Sequence, residues 1–189
     1  MIATRALKAH IWERQAEEHY VEPAWTSRRL FEEEKFKIGI YDPAQGFGTI
    51  PREATAAGLL ANGCDIVNRT SFPGMITRNF LEEESTYPNI VTNPPFNIAD
   101  KFALHALKLA ERKVAIIFPV ARLNAAHWLK GTPLRRVWLL TPRPSMPPGR
   151  VIAAGGKPGG GKMDYAWLVF EQGYTGSPEL LWLRRDDTK

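Results

Sequence analysis

Phe36-Lys37-Ile38-Gly39-Ile40-Tyr41 runs without a break into Asp42-Pro43-Ala44-Gln45-Gly46-Phe47-Gly48. The first six residues read as a short apolar strand. The next seven carry an acid, a proline and two glycines one residue apart. Pro51 then sits where the first turn of a helix tolerates it, and the helical pattern continues to about Ala61. A strand passing through a glycine turn into a helix is the opening unit of an α/β sheet, with the ligand expected beyond the strand's carboxyl end. Glycines there let the backbone turn sharply and approach a ligand closely. A tight turn without a ligand explains Gly-x-Gly too. The segment lacks the third glycine of a dinucleotide fingerprint and the Gly-Lys-Ser/Thr of a phosphate loop.

Downstream, Asn62-Gly63 reads as a helix stop and Cys64-Asp65-Ile66-Val67 as the next strand. Asp65 falls roughly twenty positions after the glycines, where a nucleotide-binding sheet holds a ribose hydroxyl, although a surface aspartate in a turn looks the same. The strand Asn89-Ile90-Val91-Thr92 leads into Asn93-Pro94-Pro95-Phe96. Two prolines remove two donors and fix the backbone, leaving the Asn93 side chain and the Pro94 carbonyl as rigid acceptors beside the flat Phe96 ring. That arrangement suits a planar group bearing an amine.

The alternation continues with a helix from Ile98 to Arg112 and a fully apolar strand, Val114 to Phe118, of the kind buried on both faces. A short helix (Asn124 to Lys130), strands at Val137 to Leu140 and Tyr165 to Phe170, and a basic Gly/Pro-rich loop from Pro142 to Lys162 complete the pattern. Before the first strand, residues 1–35 read as a helical segment. It comprises a helix from Leu7 to Arg14, a break at Tyr20-Val21-Glu22-Pro23 and a helix from Ala24 to Glu34. The fold class is therefore α/β, a doubly wound, mostly parallel sheet. At 189 residues one domain is expected.

A hydrophobic fraction of 44% supports a packed core and excludes wholesale disorder. No apolar run reaches the ~18 residues of a membrane span, and the charged opening lacks a signal-peptide core, so no membrane partner and a cytoplasmic location are expected. A lone cysteine, Cys64, excludes a disulfide framework or a multi-cysteine zinc site. The four histidines lack metal-ligand spacing, so no metal is expected, and they read as surface or packing residues. Trp128, Trp138, Trp167 and Trp182 read as core or interface, and Trp25 is left open between the core and a stacking place near the presumed ligand. Net charge is +5, and from Arg112 to Lys162 ten Lys and Arg occur without one Asp or Glu. That run predicts a positive face for nucleic acid, with Arg122, Arg143, Arg150, Lys157 and Lys162 as phosphate contacts.

Taken together, these motifs resemble the S-adenosylmethionine-dependent adenine-N6 DNA methyltransferases, in a compact form like those of bacteriophages. Asp42-Pro43-Ala44-Gln45-Gly46-Phe47-Gly48 is similar to their cofactor loop, with Gln45 for the common cysteine and Phe47 for a small residue. Asn93-Pro94-Pro95-Phe96 matches their Asp/Asn/Ser-Pro-Pro-aromatic catalytic motif. The resemblance implies a Rossmann-like class I methyltransferase fold with helices on both faces, and S-adenosylmethionine as cofactor. It places Asp42, Pro43, Ala44, Gly46 and Gly48 on the cofactor, with Asp65 on its ribose and Ile66 on its adenine. Asn79-Phe80 stands where the family has Asp-Phe on the adenine amine, and Tyr20, Glu22 and Pro23 belong to the segment closing over the methionine end. Asn93, Pro94, Pro95 and Phe96 are the implied catalytic residues, and the target base flips out of the DNA duplex to stack on Phe96. The chain has no room for a large target-recognition domain, so readout falls to loops or a partner chain, a homodimer included, or is weak. Related Asn-Pro-Pro-aromatic enzymes act on RNA guanine-N2 or adenine, or on protein glutamine, and a module that binds nucleic acid without turnover is the non-enzymatic alternative.

Overall fold

The computed structural model describes residues 19–69 and 72–185. Its elements are α1 (Ala24–Glu33), β1 (Gly39–Asp42), α2 (Thr49–Ala56), β2 (Leu60–Asp65), β3 (Met75–Thr77), β4 (Tyr87–Thr92), α3 (Ala99–Leu109), β5 (Ala110–Pro119), β6 (Leu134–Thr141), α4 (Gly149–Ala153), β7 (Tyr165–Glu171) and β8 (Glu179–Arg184). They form one sheet in the order β3-β2-β1-β4-β5-β7-β6-β8. Only β7 runs against its neighbours, β5 and β6.

Strand alternation divides the core into two layers. On β5, Val114, Ile116 and Phe118 face α3, which contributes Phe102, Ala103, Ala106 and Leu109. Ala115 and Ile117 face the other side, where α1 and α2 contribute Trp25, Leu30, Ile50 and Ala54. Strand β7 continues both layers, with Leu168 and Phe170 on one and Trp167 and Val169 on the other. Helices thus cover both faces. Trp167 is fully buried and donates its indole N–H to the Thr26 carbonyl at 3.0 Å, so no polar atom is stranded there.

Several boundaries differ from the sequence reading. The helix after the glycine loop ends at Ala56 rather than near Ala61, and Asn62-Gly63 lies inside β2 instead of stopping a helix. Gly63 is there for proximity: a Cβ would come within 2.2 Å of the Asp42 carbonyl oxygen on the paired strand. Ile66 and Val67 lie beyond the strand's end. Strands β3 and β8 were not expected; both are short edge strands with exposed side chains. The segment expected as a helix at Asn124 to Lys130 consists of 3-10 turns, and the basic loop contains α4. The expected helix at Leu7 to Arg14 lies outside the described residues. Among the described residues no helix is long and apolar enough to cross a membrane.

β1 lies between β2 and β4, so connections leave it in opposite directions. That is the switch point where open α/β sheets bind ligands. It sets the end of β1, with Asp42, beside the end of β4, which leads to Asn93.

Candidate active site

A cleft of about 210 Å³ opens at this point. The glycine loop forms its floor. Gly46 (φ 52°) and Gly48 (φ 77°) adopt left-handed backbone, and Gly48 caps α2 while donating to the Gln45 carbonyl at 2.7 Å. Asp65 pins the loop from β2: its carboxylate accepts Gly46 N–H at 2.9 Å, Val67 N–H at 3.0 Å and Arg69 Nη1 at 2.8 Å. A carboxylate has about four acceptor positions, so one remains for a hydroxyl. Ile66 is exposed on the same wall. Asn79 spends its carbonyl capping a 3-10 turn through Leu81 N–H and gives its amide N–H to Glu82. Phe80 lines the cleft but is mostly core, packed against Phe102 and His105.

The opposite wall is the Asn93-Pro94-Pro95-Phe96 turn. The Asn93 Nδ2 group donates to the Tyr20 carbonyl and to Glu22 Oε2, each at 2.9 Å. Two acceptors at one end fix which way the amide faces. Asn93 Oδ1 is left buried with no hydrogen-bond partner, in a residue that lines the cleft. Native structures seldom leave such an atom unpaired, and it marks a place where a donor belongs. Phe96 differs from expectation. Rather than a bare platform, its ring is buried between Tyr20 (centroids 6.0 Å, near-parallel) and Tyr165 (5.5 Å), so a base stacks on it only if Tyr20 moves aside.

Asp42 and Glu22 are both buried acids. Burial, aided by the negative charges of Glu22 and Asp65, pushes the Asp42 carboxyl well above the carboxylate range. Burial likewise pushes Glu22 up to about 7, against the opposing pull of Asn93, Thr49 and Arg52. Tyr20, Glu22, Pro43, Ala44, Gly46, Asp65, Ile66, Asn79, Phe80, Asn93, Pro94, Pro95 and Phe96 thus share one cleft. Asp42 and Gly48 stand behind it and Pro23 starts α1, where its carbonyl accepts the Thr26 N–H. Trp25, left open by the sequence, packs into the core with α1.

His19 packs edge-on to Phe47, in keeping with its reading as a packing residue, and it also lines the cleft, which its sequence context does not announce. Its ring occupies the space that Cβ atoms at Gly46 and Gly149 would need. Burial and the Arg69 charge hold it below its usual value. Its carbonyl accepts Gly149 N–H and Val21 N–H donates to Pro147, which laces the Tyr20 segment to the basic loop. No local pattern announces such a contact, since Gly149 follows His19 by 130 residues.

The basic run does not form a single face. Lys113 and Arg136 pair with Glu34, and Arg135 with Glu171, at the sheet end away from the cleft. Arg143 is paired with Asp164. Arg122 donates to the Phe96 carbonyl and lies over the Phe118 ring, so it buttresses the Asn93-Pro94-Pro95-Phe96 turn. Arg150, Lys157 and Lys162 are exposed at the cleft end. Among the described residues no cluster of His, Cys, Asp and Glu could hold a metal.

The sequence matches no family model and no curated protein. Solved structures resemble the chain in fold. The magnesium protoporphyrin IX methyltransferase of Synechocystis PCC 6803, solved with bound SAM, superposes with a TM-score of 0.53 at 15% identity, over 77% of this chain and 76% of that one. A modification subunit assigned to a type I restriction enzyme of Vibrio vulnificus YJ016 gives 0.63 at 14% identity, over 90% of this chain and 48% of that one. A protein of Pyrococcus horikoshii assigned as an RNA methyltransferase gives 0.56 at 13% identity, over 78% and 81%. The fold is therefore the Rossmann-like α/β fold of the class I methyltransferases.

Proposed function

We propose that this protein is an S-adenosylmethionine-dependent methyltransferase that methylates the exocyclic N6 amine of adenine in DNA after base flipping. The observation that carries the reading is the Asn93 amide, held by its nitrogen so that its oxygen is left buried and unpaired in a residue that lines the cleft beside Pro94. The resemblance of Asn93-Pro94-Pro95-Phe96 to the adenine-N6 family supports the choice of amine, and the class I fold supports the choice of donor.

The residues present fit the cofactor. Ile66 and the last acceptor position of Asp65 suit an adenosine, and a bound cation would draw the raised carboxyls of Glu22 and Asp42 back toward their charged forms. S-adenosylmethionine, when bound, supplies a methyl group already activated on a sulfonium. Asn93 Oδ1 and the Pro94 carbonyl accept the two amine N–H groups and stabilise the positive charge that develops on nitrogen, after which a proton leaves to solvent. Holding the amine against the cofactor loop contributes a proximity effect, and no metal or covalent intermediate is required by this chemistry. Arg150, Lys157 and Lys162, exposed on the segment that follows β6, supply phosphate contacts.

Expression in a host free of DNA methylation, followed by sequencing of N6-methyladenine, tests the reading. The expected result is modified genomic DNA that becomes unmodified with Asn93→Ala. Methylated RNA with unmodified DNA moves the substrate to RNA. A folded protein that binds S-adenosylmethionine and modifies neither overturns the reading.

A further inference from the structure

Glu22 is a nearly fully buried acid where three segments meet. It lies on the strap before α1, with Thr49 and Arg52 of α2 on one side and Asn93 of the catalytic turn on the other. We propose that Glu22 is a positioning residue that locks the Asn93 amide and raises the acceptor strength of its Oδ1, giving an asparagine the pull of a carboxylate on the substrate amine. This inference rests on the reading above that the substrate is an amine.

The geometry separates two jobs. The Tyr20 carbonyl alone would select the amide's orientation, since a flipped amide would set Oδ1 against a carbonyl oxygen. The second acceptor is ionisable. A hydrogen bond to an ionised acceptor is stronger than one to a neutral carbonyl, and successive hydrogen bonds polarise one another. Because an amide is conjugated, drawing on its N–H builds negative charge on its oxygen. Asn93 Oδ1 is the atom left unpaired at the cleft, so that charge is delivered to the substrate.

The charged groups facing Glu22 are Asp42 at the end of β1 and Arg52 of α2. Arg52 gives its Nη1 to the Phe47 carbonyl at 2.6 Å, and it does not pair with Glu22. With burial pushing Glu22 up to about 7, its charge appears as the solution passes neutrality. The acceptor therefore strengthens as pH rises.

Two readouts test this. In the ligand-free protein, the Asn93 side-chain amide signals are followed by NMR across neutral pH. They are expected to shift with a midpoint near 7 and to stay fixed in Glu22→Gln. In methyl transfer, Glu22→Gln is expected to lower kcat about tenfold, to leave the KM of the amine substrate within about twofold and to abolish the rise of kcat with pH. Removing a buried charge does not threaten folding, and thermal unfolding of Glu22→Gln verifies it. Amide signals that ignore the titration overturn the proposal. So does a full-rate Glu22→Gln enzyme beside an inactive Asn93→Ala enzyme, which leaves the amine reading intact. If the wild-type protein transfers no methyl group, the amine reading falls, while the amide titration still decides whether Glu22 governs Asn93.

Discussion

Two buried glutamates flank α1, and the protein treats them in opposite ways. Glu34, just after the helix, accepts Lys113 Nζ at 2.7 Å, Trp138 Nε1 at 2.9 Å and Arg136 Nη1 at 3.0 Å. Burial alone would raise its carboxyl, but those donors and the Lys113 charge outweigh it and hold it below the usual range. Glu22, just before the helix, is pushed up by burial: its hydrogen bonds are neutral, Arg52 faces it without pairing and Asp42 is a neighbouring acid. A carboxylate with three donors, two of them cationic, ties α1 to β5 and β6. One left short of donors at a cleft is a charge held in reserve. Structural and functional burial are told apart by the partners, since exposure is nearly the same.

The largest effect comes from breaking the structural partner. Glu34→Ala leaves the Trp138 indole N–H unpaired and Arg136 and Lys113 with only Glu179 and Glu171 as partners, and should cost about 3 kcal/mol in urea unfolding, with activity per folded molecule unchanged. On the functional side, Asn93→Ala should lower kcat about 100- to 1000-fold while shifting the unfolding midpoint little. Titration sharpens the contrast, because the two glutamates have opposite signs. Glu22 has a raised folded value, so stability falls as pH rises from 4.5 through about 7, by up to about 3 kcal/mol. Asp42 acts in the same direction, so comparing the wild type with Glu22→Gln isolates Glu22: the variant should be the more stable protein above neutrality and no different in mild acid. Glu34 has a lowered value, so its contribution is present above 4.5 and is lost as pH falls through that value. The smallest effect on either carboxylate should come from neutralising Arg150, Lys157 and Lys162. Nucleic-acid affinity should lose about 0.9 of its log–log salt slope for each residue that reaches a phosphate, with stability unchanged.

Local patterns made much of the cleft legible. The glycine turn, Asp65 and Asn93 to Phe96 each follow a strand, and alternating strands and helices put strand ends on one side. Contacts between distant segments were not legible. Asn62-Gly63 has the composition of a helix stop, but pairing with β1 makes it a strand in which only glycine clears the Asp42 carbonyl. The acid-free run from Arg112 to Lys162 looked like one positive face. Folding carries its members to opposite ends of β5 and β6 and supplies acids from elsewhere. Phe96 reads as a bare platform until β7, antiparallel to β5, brings Tyr165 against it.

By itself, then, the sequence determined the sheet class, the order of the two loops and the residue types that face a ligand, because strand alternation, glycine turns and proline-fixed carbonyls are properties of neighbouring residues. Tertiary structure decided which of those polar atoms are spent and which are free. Asn93 has four hydrogen-bonding positions in any context. Only the approach of Tyr20 and Glu22, more than seventy residues away, consumes its nitrogen and leaves its oxygen unpaired.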